Sequence, residues 1–309
     1  MTKIPPYLQP GDTVAITCPS SKMELEVAIK AIEVLENWGL KVQMGKTVGT
    51  SFHNFSAPDK QRLEDLQAFM DDPGIAAILF GRGGYGMVRI LDHLDFSKFR
   101  LAPKWMAGFS DITTLHMHLH QVIGVASLHA PMCSGLLSPP VPPPYIRSLK
   151  DALFGKKSCF DFWTHPLNRK GCCRGLLIGG NLSLLANLSG SVSQPDTEGK
   201  ILFLEDTGEY LYNIDRMMLN LKRSGWLNHL AGLIIGTFTE EKNTDTPFGQ
   251  SAYEIIRDKV DEFSYPVCFG FPVGHQPENY TLKLGMMHAL EIGQQSCRLM
   301  EASAREKVL

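Results

Sequence analysis

Apolar residues in the first half of the chain form two alternating patterns, short continuous runs and longer stretches with helical spacing. The run Ile75–Phe80 is apolar throughout, which is typical of a strand covered on both faces. Between Glu24 and Trp38, apolar residues recur every three or four positions, as in an amphipathic helix. This alternation predicts an α/β fold with a largely parallel sheet and helices on both faces. The same criteria predict strands at Thr13–Thr17, Leu40–Val42 and Trp105–Phe109, and helices at Asp59–Met70, Met87–Leu94 and Asp111–Gln121.

A proline-rich stretch, Pro139–Pro144, interrupts this pattern near the middle of the chain. Such a sequence favours extended polyproline geometry and acts as a semi-rigid spacer. We therefore expect an N-terminal α/β domain over residues 1–145, a linker region over 146–170 and a C-terminal domain over 171–309. The pattern of the second half is more mixed. It predicts strands at Ile201–Leu204 and Leu233–Ile235, and helices at Leu182–Leu188 and Ile214–Lys222.

The composition limits the classes of protein to which the chain could belong. Of the 309 residues, 44% are hydrophobic and 20% are charged, which is the balance of a soluble globular protein. The formal net charge is −2, from 30 basic and 32 acidic residues. Because no block of Lys and Arg could neutralise a row of phosphates, we expect no nucleic acid partner.

The seven cysteines are scattered along the chain, and no two of them form a CxxC pair. Their number is odd. Reduced thiols in a reducing compartment are the simplest interpretation. The first residues lack the apolar segment of a secretory signal, and no apolar run approaches the ~20 residues that a membrane helix needs. We expect a cytoplasmic protein with no membrane partner.

The glycine-rich segment Gly81–Gly86 has the spacing GxGxxG, follows a predicted strand and precedes a predicted helix. This is the context of a dinucleotide-binding loop, and Asp111 could supply the acid that binds a ribose. Against that interpretation, the segment follows the third or fourth strand and not the first. Its backbone N–H groups could instead form half of an oxyanion hole, or its glycines could allow a tight turn. The sequence leaves these three interpretations open.

Ser110 stands between the strand that ends at Phe109 and a helix that begins near Ile112. A serine on such a turn projects its hydroxyl beyond the sheet, and the N–H of Asp111 then points toward an oxygen bound there. This is the logic of a nucleophile elbow, although the sequence is not GxSxG. The alternative is that Ser110 or Asp111 caps the helix.

A serine nucleophile needs a base, and ten histidines are available. His116, His118 and His120 lie on the predicted helix after Ser110, and His116 and His120 share a face that could bind a metal. No HExxH pattern accompanies them, so we expect a polar or half-buried helix face. His275 follows glycine in a loop-forming stretch, from which it could reach a cleft or simply face solvent.

The group that would orient this base is a carboxylate. The predicted strand Ile201–Leu204 runs directly into Glu205 and Asp206, and a carboxylate at a strand end can be buried and directed at a histidine. Glu209 is a nearby competitor. All three acids could also lie in a solvated turn.

Six segments of the chain occur in the order of one known family. They are Leu8–Val14 with Cys18–Ser21, Arg82–Gly86, Gly108–Thr113, Gly179–Ser183, Leu204–Asp206 with Asp215–Met217, and Gly274–His275 with Leu282–Gly285. In these segments the sequence resembles the L,D-carboxypeptidases, or murein tetrapeptide carboxypeptidases, a serine peptidase family that includes microcin-immunity peptidases. The likeness covers nearly the whole chain.

The resemblance implies a catalytic triad in which Ser110 is the nucleophile, His275 the general base and Glu205 the orienting acid. It also implies an oxyanion hole formed by the backbone amides of Asp111 and of Gly83 or Gly84. A substrate that ends in a free carboxylate needs a cationic or N–H anchor. Arg82, beside Tyr85 on the glycine loop, is a candidate for it, or its role could be structural.

The fold implied by the resemblance is an N-terminal α/β domain and a C-terminal, β-rich domain, with the active site between them. The implied protein is a homodimer that needs no metal or cofactor. The implied reaction removes D-alanine from an L-centre in small murein peptides during peptidoglycan recycling. Two alternatives stay open: a microcin-immunity-like hydrolase of peptidyl or aminoacyl nucleotides, and a nucleotide- or peptide-binding protein that uses the Gly81–Gly86 loop without peptidase activity.

Overall fold

The computed structural model describes residues 2–136 and 143–302, and the chain divides into two compact units. The first unit contains the residues up to Lys156 together with Tyr280–Lys283; the second contains Lys157–Asn279 and the residues from Leu284 onward. Residues 137–142, which hold most of the expected proline-rich boundary, lie outside the described residues. The stretch 146–170, expected as a linker region, contains most of one helix and a complete strand.

Each predicted strand and helix overlaps an observed one, although several bounds differ. The strands are β1 (Thr13–Thr17), β2 (Lys41–Met44), β3 (Ile75–Phe80), β4 (Trp105–Gly108), β5 (Ser127–His129), β6 (Cys159–Trp163), β7 (Gly171–Asn181), β8 (Ile201–Thr207), β9 (Gly232–Thr239), β10 (Val267–Phe269), β11 (Leu282–Leu284), β12 (Met287–Ile292) and β13 (Ser296–Glu301). The helices are α1 (Leu25–Asn37), α2 (Asp59–Asp71), α3 (Met87–Leu91), α4 (Ser97–Leu101), α5 (Thr113–His118), α6 (Pro144–Leu153), α7 (Leu182–Asn187), α8 (Leu211–Arg223) and α9 (Ala252–Val260). Within the described ranges, no helix has the length and apolar character needed to cross a membrane.

The sheet of the first unit has six strands among the described residues, in the order β11-β5-β4-β3-β1-β2. Strands β1 to β5 pair in parallel with one another, which confirms the predicted largely parallel sheet. Four of the five residues of β1 and five of the six of β3 are buried. Helices cover these strands, and the core includes Phe80, Phe99 and Met106.

Parallel pairing brings the carboxyl ends of β1, β3 and β4 to one edge of this sheet. The loops that leave these ends are 18–21, the glycine loop 81–86 and the turn 109–111. Open α/β sheets bind ligands at this edge. The fold of the first unit therefore gathers three of the segments that the sequence analysis identified.

The helix predicted at Asp111–Gln121 is three segments in the structure. A 3-10 turn at Ser110–Ile112 leads into α5, and a π-helical turn at Leu119–Ile123 follows it. Gly124, with φ +75°, then ends the helical path. A left-handed glycine is a common stop for a helix, and here it returns the chain toward β5.

The sheet of the second unit has seven strands among the described residues, in the order β10-β9-β8-β7-β12-β13-β6. Strands β10 to β7 run parallel, and β12, β13 and β6 add antiparallel strands. The long strand β7 joins the two halves, because its residues 171–176 pair with β12 and its residues 177–181 pair with β8. The predicted α/β class is thus confirmed.

Arg62 is fully buried, although it lies on α2 in a charged stretch of sequence. Its guanidinium donates to the carbonyls of Ala57 (3.0 Å), Gly86 (3.1 Å) and Pro19, and it pairs with Asp59. These carbonyls belong to three different loops. A buried cation is tolerated only when it is bonded in this way, so Arg62 holds the loops around itself.

Replacing Arg62 by methionine should strongly destabilise the protein, because it leaves three carbonyls without their donor and removes one of the two arginines that pair with Asp59. Each buried acceptor that loses its donor typically costs roughly 1–3 kcal/mol of unfolding free energy. Arg89→Met is the matched control, since Arg89 is exposed and pairs with the same Asp59. Urea denaturation should show a much larger loss for R62M than for R89M, and equal losses would contradict the assigned role.

Candidate active site

Ser110 occupies a strained turn at the end of β4. Phe109 is extended, with φ −149° and ψ −168°, and Ser110 then adopts a left-handed backbone with φ +62°. Only three non-glycine residues of the described chain have positive φ. This conformation costs about 1–2 kcal/mol for a residue with a Cβ atom. The turn from strand to helix is that of a nucleophile elbow.

The glycine loop lies directly against this serine. A Cβ atom on Gly83 would stand 2.8 Å from the Cβ and 3.0 Å from the Oγ of Ser110, so only glycine permits the approach. The carbonyl of Gly83 accepts the N–H of Ser21 at 3.1 Å, which fixes the loop from its other side. Within the described chain, the N–H groups of Gly83 and Gly84 donate to no protein acceptor. They are thus available to an oxygen bound near Ser110.

Asp111 is fully buried, although it lies in the turn that follows β4. Its Oδ2 accepts the hydroxyl of Ser20 at 2.5 Å and the N–H of Met87 at 2.7 Å. Burial raises the pKa of Asp111, and the bonds from Ser20 and Met87 lower it by less. A carboxylate engaged in this way is not presented to a ribose, which removes the acid that a dinucleotide-binding loop would use.

The three histidines after Ser110 do not form a metal site. His116 is buried, and its Nε2 donates to the carbonyl of Gly108 at 2.8 Å, which ties α5 to the end of β4. Burial lowers the pKa of His116 to about 4, so the ring is neutral. His118 packs on Phe96, with ring centroids 5.0 Å apart. In the part of the chain that the structure describes, no group of three or more metal-ligating side chains occurs.

In the second unit, Glu205 and His275 form a carboxylate–imidazole pair. Nδ1 of His275 donates to Oε2 of Glu205 at 2.7 Å, and the glutamate is fully buried near the end of β8. Glu209, the competing acid, instead accepts the side-chain amide of Asn213 at 2.9 Å. The bond fixes the histidine with its proton on Nδ1, which leaves Nε2 as the basic nitrogen.

Glycine makes this pair possible. Gly274 has φ +130°, and a Cβ atom there would stand 2.5 Å from Oγ1 of Thr237 and 3.1 Å from the side chain of Glu205. The N–H of Gly274 donates to Oδ1 of Asn279 at 3.1 Å. The loop that carries His275 can therefore pass close over the carboxylate only because residue 274 lacks a side chain.

The electrostatics of the pair favour a charged imidazole. Burial lowers the pKa of His275, but the hydrogen bond and the charge of Glu205 outweigh it, with smaller contributions from Asp206 and Glu240. The net effect is a raised pKa. Oε1 of Glu205 has no hydrogen-bond partner among the described residues. The carboxylate therefore bonds to His275 through Oε2.

Asp206 is a buried carboxylate whose role sequence reasoning missed. It accepts the side-chain amide of Asn181 (2.8 Å) and the backbone N–H groups of Thr207 (2.8 Å) and Ser183 (2.9 Å). Burial, followed by the charge of Glu205, raises the pKa of Asp206 to about 7. These bonds anchor β8 to the end of β7 and to the first turn of α7. Its position next to Glu205 was visible in the sequence, but its partners were not.

Arg82 and Tyr85 are exposed on the glycine loop. Arg82 makes no hydrogen bond or ion pair with any described residue. Tyr85 is 47% exposed and packs beside the ring of Phe55, with centroids 6.1 Å apart. An exposed guanidinium without a protein partner can bind a carboxylate in two parallel hydrogen bonds.

The structure thus brings together Ser110, Gly83 and Asp111 in the first unit, and Glu205 and His275 in the second. Each group has the local geometry that its predicted role requires. The first is a serine on a strained turn beside free backbone amides, and the second is a histidine oriented by a buried carboxylate. Groups of these two kinds are the ones that serine-dependent acyl transfer uses.

Comparisons with known proteins show the family of the chain. The LD-carboxypeptidase N-terminal domain matches residues 14–130, and the LD-carboxypeptidase C-terminal domain matches residues 174–290. The chain is 32% identical to a probable murein peptide carboxypeptidase of Bacillus subtilis, over 99% of this chain and 96% of that one. It is 30% identical to the murein tetrapeptide carboxypeptidase of Pseudomonas aeruginosa, over 92% and 94%. The crystal structure of muramoyltetrapeptide carboxypeptidase from Oxalobacter formigenes superposes with a TM-score of 0.85 at 28% identity, over 94% of this chain and 99% of that one.

The raised pKa of His275 gives a prediction that does not depend on a substrate. Glu205→Gln keeps a hydrogen-bond acceptor but removes the charge, so the pKa of His275 should fall. NMR titration of the imidazole would measure this. Glu240→Gln is the control, because Glu240 is exposed and contributes less to the raised pKa; its effect should be smaller. A pKa that is unchanged in E205Q would contradict the assigned electrostatics.

Proposed function

The chain belongs to the LD-carboxypeptidase family, and from this premise we propose that it is a serine carboxypeptidase that removes C-terminal D-alanine from murein tetrapeptides. Two relatives at about 30% identity along nearly their whole length carry murein peptide activity in their names. The observation that carries the proposal is the 2.7 Å bond from His275 to the buried Glu205. An imidazole held in this way is a general base with a fixed tautomer.

In the proposed reaction, Oγ of Ser110 attacks the carbonyl carbon between the L-centre and D-alanine. Nε2 of His275 takes the serine proton, and Glu205 stabilises the imidazolium that results. Collapse of the tetrahedral intermediate breaks the amide bond as His275 gives its proton to the leaving amine. Water then attacks the acyl-enzyme, again with His275 as base, and releases the shortened peptide.

The tetrahedral intermediate places a negative charge on the former carbonyl oxygen. We assign its stabilisation to the backbone N–H of Asp111 and to the N–H of Gly83 or Gly84. The approach of Gly83 to Ser110 and the free amides of the glycine loop support this assignment. One such donor typically contributes about 2.7–4 kcal/mol to the stability of the transition state.

A carboxypeptidase must also recognise the free carboxylate of its substrate. We assign this to Arg82, whose guanidinium is exposed and has no partner among the described residues. Tyr85, on the same loop, would add an apolar surface with a hydroxyl at its tip. The same anchor discriminates against peptides whose C-terminus is amidated.

The nucleophile is tested by release of D-alanine from L-Ala-D-Glu-meso-diaminopimelyl-D-Ala. Ser110→Ala should lower kcat by roughly 10⁴-fold or more without unfolding the protein, because it removes the attacking oxygen. Ser51→Ala, an exposed serine of the same unit, should leave the rate unchanged. Equal release by S110A and wild type would remove Ser110 from the mechanism. No release by wild type would contradict the murein substrate and direct the search to aminoacyl nucleotides.

The carboxylate anchor is tested by Arg82→Met. Losing a charged hydrogen bond to the substrate should lower kcat/KM about 10- to 100-fold. The same tetrapeptide with a C-terminal carboxamide is the control substrate, since it lacks the group that Arg82 would bind. If R82M lowers kcat/KM equally for the acid and the amide, Arg82 does not bind the carboxylate.

A further inference from the structure

Asp111 has a side chain whose role lies outside the proposed chemistry. The proposed function uses its backbone N–H, yet its carboxylate is fully buried and directed away from Ser110 into two other loops. One bond reaches Ser20, in the loop after β1, and the other reaches Met87, the first residue after the glycine loop. The residue that follows the nucleophile therefore links all three loops at this edge of the sheet.

The bond to Ser20 continues to the glycine loop. Ser21, the next residue, donates its N–H to the carbonyl of Gly83 at 3.1 Å. The far end of the glycine loop is held by the bond from Met87 to Asp111 at 2.7 Å. The carboxylate thus fixes both sides of the loop that carries the Gly83 and Gly84 amides.

One other charged side chain supports the same arrangement. Arg62 donates to the carbonyls of Gly86 and Pro19, which adjoin Met87 and Ser20 in sequence. Its positive charge also favours the ionised form of Asp111. The cation holds the loops from the α2 side, and the carboxylate holds them from the side of the nucleophile.

The short distances that an oxyanion hole requires explain why the position of these loops matters for catalysis. Oxyanion donors act only when they lie about 2.7–3.1 Å from the developing charge, and displacements of roughly 0.5 Å already weaken them. One donor is the N–H of Asp111 itself, and the other lies on the loop that its carboxylate holds. We propose that the Asp111 carboxylate is a positioning group that sets the spacing of the oxyanion hole through Ser20 and Met87. This inference rests on the proposed function of Ser110.

The test compares Asp111→Ala and Asp111→Asn with Asp65→Ala. Asp65 is the matched control: it is also buried in the first unit and accepts two threonine hydroxyls and the N–H of Lys46. With the tetrapeptide, D111A should lose about 10²- to 10³-fold in kcat with KM changed less than about threefold. D111N keeps an acceptor oxygen and should recover much of the rate. D65A should lose thermal stability but keep its kcat per folded molecule.

A second measurement follows the positioning without any reaction. Hydrogen exchange of the Met87 amide should be faster in D111A than in wild type and in D65A, because its acceptor has been removed. Unchanged kcat in D111A, an equal loss of kcat in D65A, or unchanged Met87 exchange would each overturn the inference. A wild-type protein that is inactive on the peptide would count against the proposed function alone, since the exchange result still decides whether Asp111 holds the loop.

Discussion

Both units bury carboxylates near the carboxyl ends of parallel strands, where an ion without partners would cost several kcal/mol. Asp111 satisfies this constraint with a hydroxyl and a backbone N–H, and Glu205 with the imidazole of His275. Each of these partners belongs to a different segment of the chain. The bonds that make burial of the charge tolerable are therefore the same bonds that fix the loops beside the proposed catalytic groups. Removing an acceptor would release a loop as well as leave a buried donor unpaired.

The two units solve this problem in a similar way. In each, a side chain with a proposed catalytic role is followed directly by a buried aspartate, in Ser110-Asp111 and in Glu205-Asp206. Each aspartate accepts a backbone N–H from the beginning of a short helix, Met87 in α3 or Ser183 in α7. The first member of each pair has the proposed catalytic role, and the second bonds to the surrounding scaffold. Several hydrogen bonds fix each aspartate. The adjacent side chain is therefore held more firmly than it would be in a solvated turn.

Periodicity and position along the chain were sufficient for β1 to β4 and for the turn at Ser110, because these depend on local sequence. They did not predict β5 and β11, the two other strands of the same sheet. They were not sufficient for the burial of Arg62, which lies in a charged stretch and donates to three carbonyls, two of them 24 and 43 residues away in the sequence. Long-range partners explain the other omissions as well, since Ser20 is 91 residues from Asp111. His116 was considered for a metal because of its spacing, but a backbone carbonyl is its partner. A charged or polar residue is buried only where the folded chain supplies its partner, and no local pattern contains that information.

Glu205 and Asp206 are adjacent buried carboxylates, and they have different hydrogen-bond partners. Two buried negative charges repel each other, and this repulsion, after burial, raises the pKa of Asp206 to about 7. Both charges also raise the pKa of His275, and the hydrogen bond and charge of Glu205 do so more than the charge of Asp206. The N–H groups of Thr207 and Ser183 and the amide of Asn181 stabilise the negative charge of Asp206 and direct it toward the scaffold. Glu205 acts on His275 through a single short bond, which would stabilise the imidazolium that the proposed reaction forms.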